Sequence, residues 1–135
     1  MTLTNVPAQT AQAAATPTLR VLVVDDQELL RELCNRILGR WGHRVIEATT
    51  GAQAIELYRE ERPDVVLLDI GIADTDGIAV LEELRRIDPQ ARVAMLTGER
   101  RLEHVHRALA LGARDYIVKP FYSERLKTAI ERLLA

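Results

Sequence analysis

Four short apolar runs in this chain each stop on a polar residue. They are Val21-Leu22-Val23-Val24 before Asp25-Asp26, Val65-Val66-Leu67-Leu68 before Asp69, Val93-Ala94-Met95-Leu96 before Thr97, and Tyr116-Ile117-Val118 before Lys119-Pro120. Continuous runs of this length, rich in Val and Leu, read as strands buried on both faces. Stretches long enough for helices separate them, so the order is βαβα and the sheet is parallel. In such a sheet all strands point the same way, and ligands bind beyond their carboxyl ends. Three carboxylates, a hydroxyl and an ammonium are therefore delivered to one edge.

The segments between these runs complete the pattern. Leu29, Leu30, Leu33, Cys34, Ile37 and Leu38 recur at three and four, which predicts a first helix with one apolar face, closed by Gly39 and Gly42. Arg44–Ala48 reads as a weaker strand around Val45 and Ile46. Thr50 is placed to cap a second helix running to about Glu60, with Ala54, Ile55, Leu57 and Tyr58 inward. A third helix is expected over Gly77–Arg86, with Ile78, Leu81 and Leu84 inward. A fourth is expected over Leu102–Leu111, stopped by Gly112, and a fifth over Tyr122–Leu134, presenting Leu126, Ile130, Leu133 and Leu134. The expected domain begins near Leu19. Residues 1–18 are Thr, Ala, Gln and Pro with little that is large enough to bury, and read as a flexible tail.

Several function classes are disfavoured at this point. At 135 residues the chain is one domain. A net charge of -2 gives no electrostatic case for nucleic acid. No apolar run approaches the ~20 residues that span a bilayer. The start of the chain lacks the pattern of a signal peptide. The single cysteine, Cys34, cannot form an internal disulfide and fits a reducing compartment, so a cytoplasmic location is expected. No glycine-rich phosphate loop is present, which argues against dinucleotide-binding and P-loop readings.

Bare, Asp25, Asp26 and Asp69 at neighbouring strand ends would repel one another. A hard divalent cation relieves this, and Mg²⁺ favours a few carboxylates together with waters and a phosphate oxygen. A lysine and a hydroxyl facing the same spot complement the remaining oxygens of a phosphoryl group. The set suits phosphoryl transfer with one carboxylate as acceptor, giving an acyl phosphate.

These residues resemble those of response-regulator receiver domains of two-component signalling. The resemblance runs from Leu19 to Leu134. It is carried by Asp25-Asp26, by Asp69 with Asp76-Gly77 following, by Thr97-Gly98, and by Lys119-Pro120-Phe121. Any one mark is weak; all of them in order, on the right strand ends, are specific. The resemblance implies a doubly wound, flavodoxin-like sheet of order 2-1-3-4-5. It implies that Asp69 accepts a phosphoryl group from a phosphohistidine of a sensor histidine kinase or a histidine phosphotransfer protein. By the same resemblance Asp26 binds Mg²⁺ directly, Asp25 mostly through water, and the Gly71 carbonyl is a backbone ligand. Lys119 pairs with a phosphoryl oxygen, Thr97 bonds another, and Tyr116 turns inward when Thr97 moves. The Lys119–Pro120 bond is expected to be cis. The face of the fourth helix, fifth strand and fifth helix is expected to read out phosphorylation to a downstream protein, and to offer a homodimer contact in which Arg114 and Asp115 exchange ion pairs.

The sequence departs from the family pattern at Gly71, at Ile72-Ala73 where Met-Pro is common, and at Glu99. Losing the proline loosens the loop. Gly71 and Glu99 border the approach of water or donor, so they bear on the lifetime of the phosphorylated form. A stand-alone binding module or relay shuttle is expected first, because no residues follow Ala135; the alternative is a receiver belonging to a larger regulator. An aspartyl-phosphate phosphohydrolase would need a second aspartate two residues after the nucleophile, where this chain has Gly71. The chain is thus not expected to be an enzyme beyond its own phosphorylation and dephosphorylation. His104 and His106 do not share a helix face and read as solvated surface. His43 reads as exposed, Cys34 as a core residue, and Trp41 as a cover for the end of the first helix.

Overall fold

The computed structural model describes residues 18–72, 74–98 and 102–135; all of the expected tail but Thr18, together with Ala73 and the charged run at 99–101, lies outside them. Strands β1 (Arg20–Val24), β2 (Arg44–Ala48), β3 (Val65–Leu68), β4 (Val93–Thr97) and β5 (Asp115–Val118) alternate with helices α1 (Glu28–Arg40), α2 (Gly51–Glu61), α3 (Gly77–Ile87), α4 (Leu102–Ala110) and α5 (Ser123–Leu134). The strands form one parallel sheet of order β2-β1-β3-β4-β5. This is the parallel α/β sheet expected from the four runs, in the doubly wound order that the resemblance implied. None of the described helices is long and apolar enough to cross a membrane.

The central strands are buried on both faces, and alternate side chains divide between two layers. Leu22, Val24, Val66, Leu68, Val93 and Met95 pack with Ala54 and Tyr58 of α2, Ile78, Leu81 and Leu84 of α3 and Ala108 of α4. Val21, Val23, Val65, Leu67, Ala94, Leu96 and Ile117 pack with Cys34 and Leu38 of α1 and Leu126, Ala129, Ile130 and Leu133 of α5. Each fully buried Leu or Val contributes roughly 1.5–3 kcal/mol by leaving water. Two helices cover one face and three the other, so the strand ends between the layers stay open at the sheet's carboxyl edge.

Thr50 caps α2 as expected, accepting from the Gln53 amide at 3.1 Å. Lys119–Pro120 is cis, as the resemblance implied. Trp41 follows α1 and packs half-buried against its layer.

Several expectations need correction. Gly39 lies inside α1, and the turn falls at Gly42, whose φ of 89° suits glycine. Leu29 and Leu33 do not join the inner face of α1: they are 80% and 42% exposed, while Cys34 and Leu38 are fully buried. At 3.6 residues per turn, Cys34 and Leu38 share a stripe with Leu30 and Ile37, and Leu29 and Leu33 fall on its flank. Leu134 likewise sits at the rim of α5. His43 is half-buried, and its Nδ1 accepts from the Leu19 amide at 3.1 Å, anchoring the entry to β1. Burial holds this imidazole below its usual pKa, which keeps Nδ1 an acceptor.

Candidate functional site

β1 and β3 are adjacent, and both end on acid. The Asp69 amide donates to the Val24 carbonyl at 2.9 Å, so the pairing of the two strands runs on into the site. Asp25 is completely buried: its Oδ1 accepts from the Gln27 amide and its Oδ2 from Lys119 Nζ, both at 2.8 Å. Asp26, the next residue, is exposed. Asp69 is 5% exposed, and its Oδ1 accepts from the Gly71 amide at 3.2 Å. Carboxylate oxygens of Asp25, Asp26 and Asp69 lie within 4.8 Å of one another.

β5 brings the lysine. The Lys119 amide donates to the Thr97 carbonyl at 2.8 Å, which ties the ends of β4 and β5 together. Its Nζ reaches Asp25 at 2.8 Å, Gln27 Oε1 at 3.3 Å and Asp69 Oδ2 at 3.5 Å. The lysine is thus held closer to Asp25 than to Asp69. Thr97 is buried at the end of β4. Tyr116 is half-buried beside Met95 on β4, in the same layer; strand alternation puts Thr97, two residues on, on that face too. Gly71 is exposed, one residue past Ile70.

The electrostatics favour a cation. Burial pushes the Asp69 carboxyl above the ordinary carboxylate range; the Lys119 ammonium opposes this, and the Asp25 charge adds to the rise. Three carboxylates face one ammonium, so hard oxygen donors and net negative charge remain. That donor set fits Mg²⁺. Cys34 is fully buried on α1, and burial, with the Asp25 charge adding, pushes its thiol up to about 12, so it is an inert core residue.

Gln27 was not singled out in the sequence, although it directly follows the acidic pair. Its amide and its side chain hold Asp25 and Lys119 respectively. Gly77 has a steric role that the motif alone did not explain. Its amide donates to Ile70 O at 2.8 Å, and a Cβ there would collide with the Asp69 carbonyl oxygen and lie 2.6 Å from Ile70 Cα. Gly77→Ala should therefore cost roughly 1–3 kcal/mol in urea unfolding, typical of a forced overlap, and shift the Asp69 backbone.

The charges expected to be exchanged in a dimer are engaged within the chain. Asp115 is buried and accepts from both Arg125 terminal nitrogens at 2.8 Å and from Arg132 at 3.0 Å. Arg114 donates to the Leu133 and Ala135 carbonyls. His106 is exposed as expected, whereas His104 is half-buried. A cavity of about 450 Å³ between Leu19, Trp41, Ile130 and Leu134 lies at the opposite end of the sheet, away from these groups.

Comparison with known proteins places the chain in a family. The pattern of the response regulator receiver domain matches residues 21–131. The chain belongs to the receiver domain family. The chemotaxis protein CheY of Bacillus subtilis is 42% identical over 116 residues, covering 85% of this chain and 97% of that protein. Sporulation initiation phosphotransferase F of the same organism is 35% identical, covering 85% and 93%. A chain in the crystal structure of the CheX-CheY-BeF3-Mg+2 complex from Borrelia burgdorferi superposes with a TM-score of 0.83 at 29% identity, covering 88% of this chain and 90% of that one. Receiver domains act in two-component signalling and bind Mg²⁺ at an acidic pocket; here Asp25, Asp26 and Asp69 form such a pocket.

Proposed function

We propose that this receiver accepts a phosphoryl group on Asp69 from the phosphohistidine of a sensor histidine kinase or a histidine phosphotransfer protein. The reading is supported above all by one convergence: three carboxylates share a 4.8 Å cluster, and a single lysine reaches two of them. In this reading an Asp69 oxygen attacks phosphorus, the P–N bond breaks, and its electron pair leaves with the imidazole. Lys119 moves from Asp25 towards the new phosphoryl oxygens, and the Thr97 hydroxyl bonds another. Asp25, Asp26, Asp69 and the Gly71 carbonyl would hold Mg²⁺, which when bound neutralises charge on the phosphoryl oxygens.

The exposed flank of α1 suits the donor. Leu29 and Leu33 form a groove with Leu30, Pro120 and Phe121 that opens beside Lys119. An apolar helix face of the donor seated there would bring its histidine to the carboxyl edge of the sheet.

The output is a population shift. The phosphoryl contacts to Thr97 and Lys119 exist only in the activated state, and that difference biases an existing equilibrium. Tyr116 follows Thr97, and the α4-β5-α5 face changes for a downstream protein. The chemistry is the chain's own phosphorylation and dephosphorylation, whether it acts as a switch, as a relay shuttle or as part of a larger regulator. Incubation with acetyl phosphate and Mg²⁺ should add one phosphoryl mass to the intact protein, mapped to the peptide containing Asp69 and absent in EDTA. Uptake that ignores Mg²⁺, or that maps elsewhere, would sink the reading.

A further inference from the structure

We infer that Asp74 is a positioning residue for the metal and phosphoryl site, latching the loop between β3 and α3 onto the first turn of α2. The inference rests on the proposed role of Asp69 and of the Gly71 carbonyl. That loop carries Gly71, and its apolar side chains, Ile70 and Ile72, are buried in the layer below. Apolar contacts are non-directional, so they hold the loop down without setting how its carbonyls point.

The Gly71 and Gly77 amides orient the start of the loop through Asp69 Oδ1 and Ile70 O, and Asp74 adds the directional restraint on its outer part. Asp74 Oδ1 accepts from the Gly51 amide at 2.8 Å and its Oδ2 from the Ala52 amide at 3.3 Å. These are first-turn N–H groups of α2, which have no acceptor inside their own helix. The helix's own cap, Thr50, takes only the next amide, that of Gln53. A carboxylate placed more than 20 residues downstream therefore completes this terminus, and the helix dipole favours its charge. The Gly51 amide, ahead of the Ala52 amide, holds the Asp74 carboxyl below its usual pKa.

A steric contact doubles the latch. A Cβ on Gly51 would lie 2.5 Å from Thr75 Cγ2 and 2.8 Å from Val80 Cγ2. The side chains of Thr75 and Val80 are thus pressed against Gly51, and a larger residue there would have to displace them. Gly71 has open space around the place its Cβ would take, so its setting depends on the contacts of its neighbours. Receivers commonly carry a proline at position 73, where this chain has Ala73. A carboxylate clamp on the next residue supplies restraint that the missing ring does not.

The test uses the full chain, with Mg²⁺ titrated by calorimetry and amide exchange read by NMR in metal-free buffer. Asp74→Ala should speed exchange at Gly51, Ala52, Gly71 and Ile72, and weaken Mg²⁺ binding about tenfold, the low end of what losing a group that orients a metal ligand costs. Asp74→Asn keeps an acceptor for Gly51 and should recover most of that affinity. Gly51→Ala should weaken Mg²⁺ by displacing Thr75, and combining it with Asp74→Ala should add little, since both open one latch. If Asp74→Ala lowers the melting temperature but leaves Mg²⁺ affinity unchanged, Asp74 is a helix cap and the inference fails. The titration judges the latch without reference to phosphoryl transfer; phosphorylation of the wild type, measured alongside, judges the reading on which it rests.

Discussion

Asp69→Asn should take up no phosphoryl group from acetyl phosphate, and in metal-free buffer at neutral pH it should also be more stable than the wild type. The first effect follows from replacing the nucleophilic oxygen by an amide, which leaves no carboxylate where β3 ends. The second follows from burial, which raises the Asp69 carboxyl above its ordinary range. Above the raised folded-state value the carboxylate is ionised both folded and unfolded, and only the folded state bears the cost of keeping that charge out of water beside Asp25. As pH falls through the raised folded-state value, the folded protein takes up its proton first, and the cost fades. It is gone below the unfolded value of about 3.9. The stability advantage of Asp69→Asn should therefore be largest at neutral pH and shrink on acidification. Intact mass measures the first effect, and paired melts from pH 7 to 4 measure the second. Label on the variant at the wild-type rate would remove Asp69 from its role, and an advantage that grew on acidification would contradict the burial argument.

Lys119→Ala should cost about 3–5 kcal/mol in EDTA, the usual penalty for removing one partner of a buried ion pair. Asp25 is fully buried, and its closest cation is Lys119 Nζ at 2.8 Å. Without that ammonium the carboxylate keeps the Gln27 amide and little else to offset its desolvation. Removing the ammonium also makes the acidic cluster more negative, so Mg²⁺ should stabilise this variant more than it stabilises the wild type. Urea unfolding with and without Mg²⁺ reads both quantities. The variant should bind Mg²⁺ and still fail to switch: with beryllofluoride as the phosphoryl mimic, amide shifts in α4 and β5 should appear in the wild type and be absent in Lys119→Ala. A variant as stable as the wild type in EDTA would show that Lys119 is dispensable to the folded core, and a full set of shifts would show that it is dispensable to the switch.

Much of this was legible from residue order alone. Val21–Val24 and Val65–Leu68 are apolar throughout, which only strands covered on both faces tolerate, and each ends on acid. A parallel sheet then puts Asp25, Asp69, Thr97 and Lys119 at one edge without further information. Local chemistry was legible too: Thr50 caps α2 and Gly112 ends the turn after α4.

Other features depend on contacts that cross the chain. The leucines of α1 share one helical spacing, and the angle at which the sheet meets the helix decides that Cys34 and Leu38 go in while Leu29 and Leu33 stay out. Asp115 reads in sequence as an exposed charge at a strand start, yet α5 returns Arg125 and Arg132 to it from 10 and 17 residues away. Arg125 and Arg132 hold the Asp115 carboxyl below its usual range against the effect of burial, which alone would raise it. Asp74 reads as an ordinary loop acid until α2 is packed beside it.

Period and strand ends determined the sheet, its direction and the membership of the acidic site, because burial on two faces and the carboxyl-edge rule act residue by residue along the chain. Tertiary structure alone decided which acid holds the lysine, which leucines face the groove, and which loop residue closes the α2 terminus. Each of those depends on distances between segments far apart in sequence, and a hydrogen bond or ion pair is settled within about an ångström.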